Sequence, residues 1–269
     1  MKKAVCVLLG VLVLALAACG GGKKGPLVTN LGSSESNSCL KKLGEKFGLR
    51  DLEGVLAESA LFNSTNGDRV YPSFVALDQA TYDPFSFNSD FLKDHPDFQD
   101  SNCRETLMRV YGQALEVKKA DFQGTYLAFD REDLAKNPAL KKIDPRTYAG
   151  LFNEITLDRK AQSKEDRERI FQEALDARGF KNHQGAKVVM VYLEDPDQGV
   201  YFVGHCGLLM EDGGRYYFFE KRAINEPYSL LSLDSKDQLV RILEDRYGAE
   251  DIPNLVITED MKVLAWDQG

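Results

Sequence analysis

The sequence predicts an α+β fold in which helices come first along the chain and an antiparallel sheet follows. In the first half, apolar residues recur at helical spacing, for example at Leu40, Leu43 and Phe47. In the last third, strand-like apolar runs flank a Glu-Asp-Gly-Gly segment at 211–214, which is typical of a tight hairpin turn. Because helices and strands are segregated along the chain, an α+β fold is favoured over an alternating α/β fold.

The first residues have the pattern of a bacterial lipoprotein signal peptide. Lys2 and Lys3 precede an apolar run at 4–16, and the small residues of a cleavage site then lead into Cys19. The apolar run is shorter than the roughly 20 residues that a permanent transmembrane helix needs. We expect cleavage before Cys19 and lipid attachment to its thiol; a plain secreted protein is the alternative.

This N-terminus predicts an exported protein that is lipid-anchored to a membrane of the bacterial cell envelope. The lipobox resemblance implies diacylglycerol on the Cys19 thiol and an acylated amino group, and several acyl chains make membrane attachment durable. We therefore divide the chain into a signal peptide at 1–18, a lipidated cysteine and flexible tether at 19–38, and a single globular domain at 39–269.

The charge of the chain narrows the class of partner. There are 34 Lys and Arg residues against 42 Asp and Glu residues, a net charge of −8 that is spread along the sequence. Nucleic acid is disfavoured as a partner, because it requires a basic surface. A polybasic patch that binds anionic lipid is also disfavoured, because the chain is acidic overall. We expect only the lipid to contact the membrane.

The first folded elements in chain order are two helices and a long loop. One helix ends near Gly48, and the second runs from Leu52 to about Phe62. Residues 63–100 are too rich in aromatic side chains for disorder, so we expect an ordered loop that lines a cleft. The aromatic residues of this loop are Tyr71, Phe74, Tyr82, Phe85, Phe87, Phe91 and Phe98.

The next helix has a clear start signal. Asn102 is a good N-cap residue, and Glu105 stands three residues later, as in a capping box. Cys103 is therefore predicted at a helix N-terminus. The later elements follow from apolar periodicity and turn residues. They are a strand at 124–129, a helix at 163–178, strands at 187–193, 200–210 and 215–222, a helix from Ser235 to Gly248, and closing strands at 255–258 and 262–266.

Three cysteines remain after the signal peptide and Cys19 are set aside: Cys39, Cys103 and Cys206. In an exported protein a pair would usually oxidise, but an odd number leaves at least one without an intramolecular partner. Cys103 stands out because the dipole of a helix N-terminus favours the thiolate. Its alternative roles are a small buried hydrophobe or one half of a disulfide with Cys39 or Cys206.

His205 and Glu220 lie on the two strands of the predicted hairpin. A turn on Asp212-Gly213 places His205 directly opposite Glu220, and a turn on Gly213-Gly214 makes them diagonal neighbours. Either register lets the carboxylate orient the imidazole, while Cys206 points to the other face. The alternative for Glu220 is an ion pair with Lys221 or Arg222, or simple exposure near a strand end.

A cysteine at a helix N-terminus, a later strand histidine and a following carboxylate occur in the order used by papain-like cysteine hydrolases. In such a site Cys103 attacks an acyl carbon, His205 takes and returns the proton, and Glu220 fixes the imidazole tautomer. The backbone amide of Cys103 is a candidate oxyanion donor, as is Asn102. The site requires no metal or other cofactor, and the two remaining histidines, His95 and His183, are predicted at the solvated surface.

Several segments resemble an uncharacterised bacterial lipoprotein family, domain of unknown function 4300. They are Asn102–Arg104, Phe202–His205, Phe219–Lys221 and Glu226–Tyr228. The resemblance covers nearly all of the chain after the signal peptide, and it implies that Cys103 rather than Cys206 is the important thiol. The layout is also similar to the papain-like NlpC-type cell-wall hydrolases, which is an analogy at the level of the fold.

These observations predict a cysteine peptidase or amidase of the cell envelope that acts on amide bonds of peptidoglycan or peptides. Acyl transfer by the same three residues is a variant of this prediction. The alternative from a different class is a non-catalytic envelope-binding or structural lipoprotein, in which Cys103 is packed or disulfide-bonded.

Overall fold

The structure is a computed structural model that describes residues 25–80, 91, 93–156, 163–248 and 254–268. The predicted signal peptide, the lipidated Cys19 and the tether up to residue 24 lie outside the described residues. So do three aromatic residues of the predicted loop, Tyr82, Phe85 and Phe87.

The predicted α+β class is confirmed, with most helices preceding a large C-terminal antiparallel sheet. The helices of the described residues are α1 (Ser34–Phe47), α2 (Leu52–Asn66), α3 (Cys103–Tyr111), α4 (Ala128–Lys136), α5 (Pro145–Phe152), α6 (Lys164–Asp176) and α7 (Lys236–Tyr247). In the part of the chain that the structure covers, no helix is both long and apolar enough to span a bilayer.

The main sheet is antiparallel at every described pairing. Its strands are β1 (Leu27–Thr29), β2 (Val75–Ala76), β4 (Ile155–Thr156), β6 (Lys187–Asp195), β7 (Val200–Asp212), β8 (Arg215–Lys221), β9 (Tyr228–Leu233), β10 (Asn254–Glu259) and β11 (Lys262–Gln268); β3 (Leu115–Glu116) and β5 (Lys181–Asn182) form a separate ladder. The strand order is β11-β10-β6-β7-β8-β9-β1-β2, and β4 also pairs with β7. The long hairpin β7–β8 therefore lies at the centre.

Helices cover both faces of this sheet. Successive side chains of a strand point to opposite faces, so β7 contributes to two separate cores. Leu208 and Met210 pack in the core beneath the N-terminal helices. Leu209 packs in a second core with Leu239 and Leu243 of α7. A residue in the middle of β7 is therefore buried whichever face it points to.

The predicted helix signals agree with the local structure. The Asn102 side chain accepts hydrogen bonds from the backbone N–H groups of Arg104 and Glu105, and Glu105 completes the capping box. Gly48 ends α1 with a φ of 74°, a left-handed conformation that glycine adopts without strain. Ser235 caps α7. These caps satisfy backbone groups that a helix end would otherwise leave unpaired.

The predicted strand at 124–129 is wrong, because the chain forms a turn there and α4 begins at Ala128. The apolar alternation in this segment is misleading, since Phe129 is 79 % exposed whereas the polar Asp130 is buried. Asp130 is held by hydrogen bonds from distant residues, including Tyr148. Such contacts override a local strand-like pattern.

The ordered domain begins earlier than predicted. Residues 27–29 of the predicted tether form β1, which pairs with β9, and α1 starts at Ser34. Leu27 is buried, so this segment is part of the core. A glycine- and serine-rich composition cannot reveal a strand whose partner lies about two hundred residues further along the chain.

The described part of the predicted aromatic loop is mostly packed inward. Phe91 is buried and stacks on Phe62 of α2 at a centroid distance of 4.1 Å, and Phe98 meets it edge-on. Phe74 is also buried. Tyr71 lines a cavity near the surface. Most of these described rings therefore stabilise the fold.

Candidate active site

The three predicted site residues lie on elements that pack against each other. Cys103 is the first residue of α3, which packs against β7 and β8. His205 lies in the middle of β7, and Glu220 lies near the end of β8. All three are buried, with exposed fractions of 4 %, 0 % and 1 %.

The hairpin register makes His205 and Glu220 diagonal neighbours. Asp212 pairs with Arg215, so the turn falls on Gly213 and Gly214, and Glu220 is opposite Gly207. This is the second of the two predicted registers. Nε2 of His205 and Oε2 of Glu220 are 2.7 Å apart, a hydrogen-bond distance. The predicted contact between the two side chains is therefore present.

Glu220 has a second charged partner that the sequence did not indicate. Nη1 of Arg246, on α7, donates to Oε1 of Glu220 at 2.7 Å. Burial opposes ionisation, but Arg246 and His205 together lower the pKa of Glu220 to about 2. The alternative partners are engaged elsewhere: Lys221 lies 2.9 Å from Asp100, and Arg222 lies 3.8 Å from Glu226.

The imidazole of His205 is fixed on two sides. Its ring stacks on Tyr247 with a centroid distance of 5.0 Å, and Glu220 holds Nε2. Burial lowers the pKa of His205, but the interactions with Cys103 and Glu220 outweigh it and raise the pKa to about 9. The other ring nitrogen, Nδ1, has no hydrogen bond of regular geometry among the described residues. Nδ1 is therefore the nitrogen left for proton exchange.

The thiol of Cys103 is electrostatically distinct from that of Cys206. A hydrogen bond from the Cys206 thiol, together with His205 and Arg104, outweighs burial and lowers the pKa of Cys103 well below its usual value. Burial raises the pKa of Cys206 well above its usual value. Cys103 is therefore the more acidic thiol of the pair, and Cys206 is the hydrogen-bond donor to it.

The alternative of a disulfide does not match the structure. Cys39, Cys103 and Cys206 are all buried in the described part of the chain, and none of them is in a disulfide. Cys103 is instead part of a close group with His205 and Cys206. Sequence reasoning placed Cys206 on the opposite face from His205, which left its contact with Cys103 unforeseen.

The comparison with known proteins gives one match. The family model for a domain of unknown function, DUF4300, matches residues 27–262. The chain belongs to the DUF4300 family. The matched region begins with β1 and includes all of the candidate residues from Asn102 to Arg246. No match was found among curated proteins or among solved structures.

One predicted oxyanion donor of the DUF4300 domain has a different role. The side-chain oxygen of Asn102 caps α3, and its amide nitrogen donates to Oδ1 of Asp130 at 2.5 Å. Asn102 therefore fixes the start of the helix that carries Cys103. The backbone N–H of Cys103 is in the first turn of α3, where N–H groups have no acceptor within the helix.

Access to the thiol is narrow in the described structure. The space between α3, Cys206 and the adjoining residues of β8 is too small for a water molecule. A separate cavity of about 220 Å³ opens beside Arg246, on the side of Glu220, and Tyr71, Arg222 and Ser229 also line it. This cavity combines apolar walls with two guanidinium groups.

The other histidines of the DUF4300 domain lie apart from this site. His183 is exposed and lies 3.2 Å from Glu116, in agreement with the predicted surface position. His95 is only partly exposed, because its ring packs on Phe91 and Nε2 lies 3.2 Å from the Thr65 hydroxyl. Among the described residues, no three His, Cys, Asp or Glu side chains are grouped so that they could hold a metal ion.

Proposed function

We propose that this protein is a lipid-anchored cysteine hydrolase of the cell envelope with a papain-like site. In this proposal Cys103 is the nucleophile, His205 is the general base and acid, and Glu220 orients the imidazole. The main support is the charge state of the group: the pKa of Cys103 is lowered, that of His205 is about 9 and that of Glu220 is about 2. A lowered pKa of Cys103 beside a raised pKa of His205 favours a thiolate next to an imidazolium, which is the reactive form of a cysteine nucleophile.

The proposed reaction starts from the Cys103 thiolate and the protonated His205 imidazole. The Cys103 thiolate attacks the carbonyl carbon of an amide and forms a C–S bond. His205 transfers its Nδ1 proton to the amide nitrogen, the C–N bond breaks and an amine leaves. Water then gives a proton to His205 and attacks the thioester, which releases the acid and regenerates the thiolate. An amine in place of water gives acyl transfer with the same residues.

Charge develops on the carbonyl oxygen during the attack. The N–H of Cys103 at the start of α3 lies beside the reacting atom, and the positive end of the helix dipole favours negative charge there. The same dipole supports the thiolate in the resting protein. The N-terminus of α3 thus stabilises the thiolate before the attack and the oxyanion after it.

The arrangement of elements supports the papain-like assignment. The thiol lies at the N-terminus of a helix that packs against an antiparallel sheet, and this sheet carries the histidine and the acid. The pattern of residues 1–19 supports export and lipidation of Cys19. An exported hydrolase of this kind would meet amide bonds of peptidoglycan or of peptides in the envelope.

Burial of the thiol favours a second candidate function, a non-catalytic envelope-binding or structural lipoprotein. Cys103 is only 4 % exposed, and the space next to it does not admit water. In this case Cys103 packs as a small hydrophobe, and the His205–Glu220 pair stabilises the centre of the sheet.

Iodoacetamide labelling of the full chain, purified in detergent and followed by peptide mass spectrometry across pH, separates the two candidates. Cys39 and Cys206, which are equally buried, serve as internal references. For a hydrolase, Cys103 labels faster than both references at neutral pH and slows in His205→Ala. Slow labelling of all three cysteines in both proteins supports the structural candidate. Incubation with peptidoglycan fragments then tests for new amino and carboxyl ends that Cys103→Ala does not produce.

A further inference from the structure

Arg104 connects the helix of the nucleophile to the strand of the histidine. It follows Cys103 directly, and its Nη1 donates to the backbone carbonyl of Val203 at 2.8 Å. Val203 lies two residues before His205 on β7. A single side chain therefore links the start of α3 to the backbone that carries the imidazole.

The rest of the Arg104 guanidinium is held by Asp130. Nε and Nη2 donate to the carboxylate at 3.1 and 2.9 Å, a forked arrangement that fixes the plane of the guanidinium. Asp130 is completely buried, and it also accepts hydrogen bonds from the Tyr148 hydroxyl at 2.8 Å and from Asn102. The desolvation cost of such a buried ion pair offsets much of its attraction, whereas its hydrogen bonds fix the position of both groups.

The carbonyl of Val203 lies at an irregularity of the sheet. In the pairing of β6 with β7, Val191 is opposite His205 and Tyr192 is opposite Val203, which leaves Gly204 as an extra residue. A bulge of this kind redirects the neighbouring side chains. A Cβ atom on Gly204 would lie 2.5 Å from the Leu193 side chain, so glycine at the bulge leaves room for that side chain. Arg104 thus binds the residue just before the bulge that sets the direction of His205.

We propose that Arg104, locked by Asp130, is a positioning residue that holds the His205 imidazole against the Cys103 thiol. This inference rests on the proposed function, because it concerns the geometry of the same site. Arg104 is placed to act through His205 as well as through its own positive charge. The experiment must therefore separate the hydrogen-bonding fork from the charge.

Arg104→Lys makes this separation, because lysine keeps the charge but cannot bind Asp130 and the Val203 carbonyl in one fork. The measurement is the rate of Cys103 alkylation as a function of pH in the full chain. We expect the midpoint of the profile to rise by about one pH unit, which corresponds to a tenfold lower thiolate fraction at acidic pH. An unchanged profile in a folded Arg104→Lys protein would show that the charge alone matters and would overturn the proposal.

Arg109→Lys is the matched control. Arg109 lies on the same helix, its side chain is 7 % exposed, and it pairs with Asp51 and Glu58 rather than with the backbone of β7. We expect this variant to lower the melting temperature and to leave the alkylation profile of Cys103 in place. An equal shift in both variants would mean that any damage to α3 perturbs the thiol, and would also overturn the proposal.

A double-mutant cycle with His205→Ala tests the route of the effect. If Arg104 acts through His205, Arg104→Lys has no further effect on the alkylation of Cys103 once the imidazole is absent. An equal slowing in the presence and in the absence of the His205 imidazole contradicts this route.

If Arg104→Lys does not fold, Tyr148→Phe is the second variant, because it removes one hydrogen bond to Asp130. It must shift the alkylation profile of Cys103 in the same direction by a smaller factor. Slow labelling of the unmodified protein would instead reject the proposed function itself.

Discussion

Glu220 lies diagonally across the β7–β8 pair from His205, and its carboxylate is 2.7 Å from Nε2 of the imidazole. The carboxylate is also bound to Arg246, so it stays ionised although it is buried. Ionised Glu220 raises the pKa of His205 and directs Nδ1 away from itself. Because Glu220 on β8 binds Nε2 of His205 on β7, Nδ1 is the ring nitrogen that can exchange a proton with the Cys103 thiol.

Glu220→Gln removes this charge while it keeps the volume of the side chain. We expect the pKa of His205 to fall and the Cys103 thiolate to lose its cationic partner. Alkylation of Cys103 at neutral pH should slow by about tenfold, which corresponds to about one unit of pKa. Glu226→Gln is the control, because Glu226 lies near Arg222 and does not contact the imidazole. Equal rates in Glu220→Gln and in the unmodified protein would contradict the assigned role.

The sequence could predict the parts of this site that depend on local pattern. The capping box of Asn102 and Glu105 placed Cys103 at a helix N-terminus, because both residues lie within one turn. The Gly-Gly turn similarly limited His205 and Glu220 to two registers, and both allowed contact. These features need only short-range geometry, which the spacing of residues determines.

The residues that complete the site could not be found in this way. Arg246 reaches Glu220 from a helix 26 residues away, and Asp130 reaches Arg104 across 26 residues. Neither spacing belongs to a repeating local pattern. Asp130 directly follows the segment 124–129, which was wrongly predicted as a strand, so the helix that carries Asp130 was not anticipated. Long-range ion pairs of this kind depend on tertiary packing and leave no periodic signal.

The thiol of Cys206 is expected to influence Cys103 as a hydrogen-bond donor. Cys206→Ala removes this donor, so the pKa of Cys103 should rise and its alkylation at about pH 6 should slow. Cys206→Ser keeps a donor at the same position and should retain much of the unmodified rate. Equal slowing by serine and alanine would show that the packing of the sulfur matters more than its hydrogen bond.

The Cys103–His205 pair affects how the free energy of unfolding depends on pH. His205 alone has a raised pKa, so its contribution is complete below its usual value of 6.5 and is lost as the pH rises through about 9. Cys103 has a lowered pKa, so its contribution grows as the pH rises toward its usual value of 9.0. Between these usual values the two contributions oppose each other.

We therefore expect the free energy of unfolding of the unmodified protein to change less between about pH 6.5 and 9 than it would if His205 alone titrated. In Cys103→Ala only a smaller His205 contribution remains, because Glu220 alone then raises the pKa of His205, and stability should fall as the pH rises from about 6.5. Urea unfolding at several pH values measures the difference. Cys39→Ala, which removes an equally buried thiol from the same core, should resemble the unmodified protein. A falling curve in both variants would argue against a charged Cys103–His205 pair.

A buried ion pair next to the site should be important for the fold. Nζ of Lys221 lies 2.9 Å from Asp100, with exposed side-chain fractions of 0 % and 1 %, and it also donates to the Glu226 carbonyl at 2.6 Å. Asp100 further accepts a hydrogen bond from the backbone N–H of Asn225. This pair joins the segment before Cys103 to the end of β8, which carries Glu220.

Lys221→Met leaves the Asp100 charge buried without its partner, and we expect a loss of about 3–5 kcal/mol in the free energy of unfolding. The double variant with Asp100→Leu removes both charges and should recover much of this loss, because the unpaired charge is the main cost. Lys262→Met is the control: its pair with Asp176 has exposed side-chain fractions of 67 % and 52 %, so solvent screens it and little change is expected. Urea titration of the four proteins measures these differences. If the single and double variants at Lys221 are equally destabilised, the loss comes from the missing contacts of the ammonium group with the rings of Phe62 and Tyr228, and not from the buried charge of Asp100.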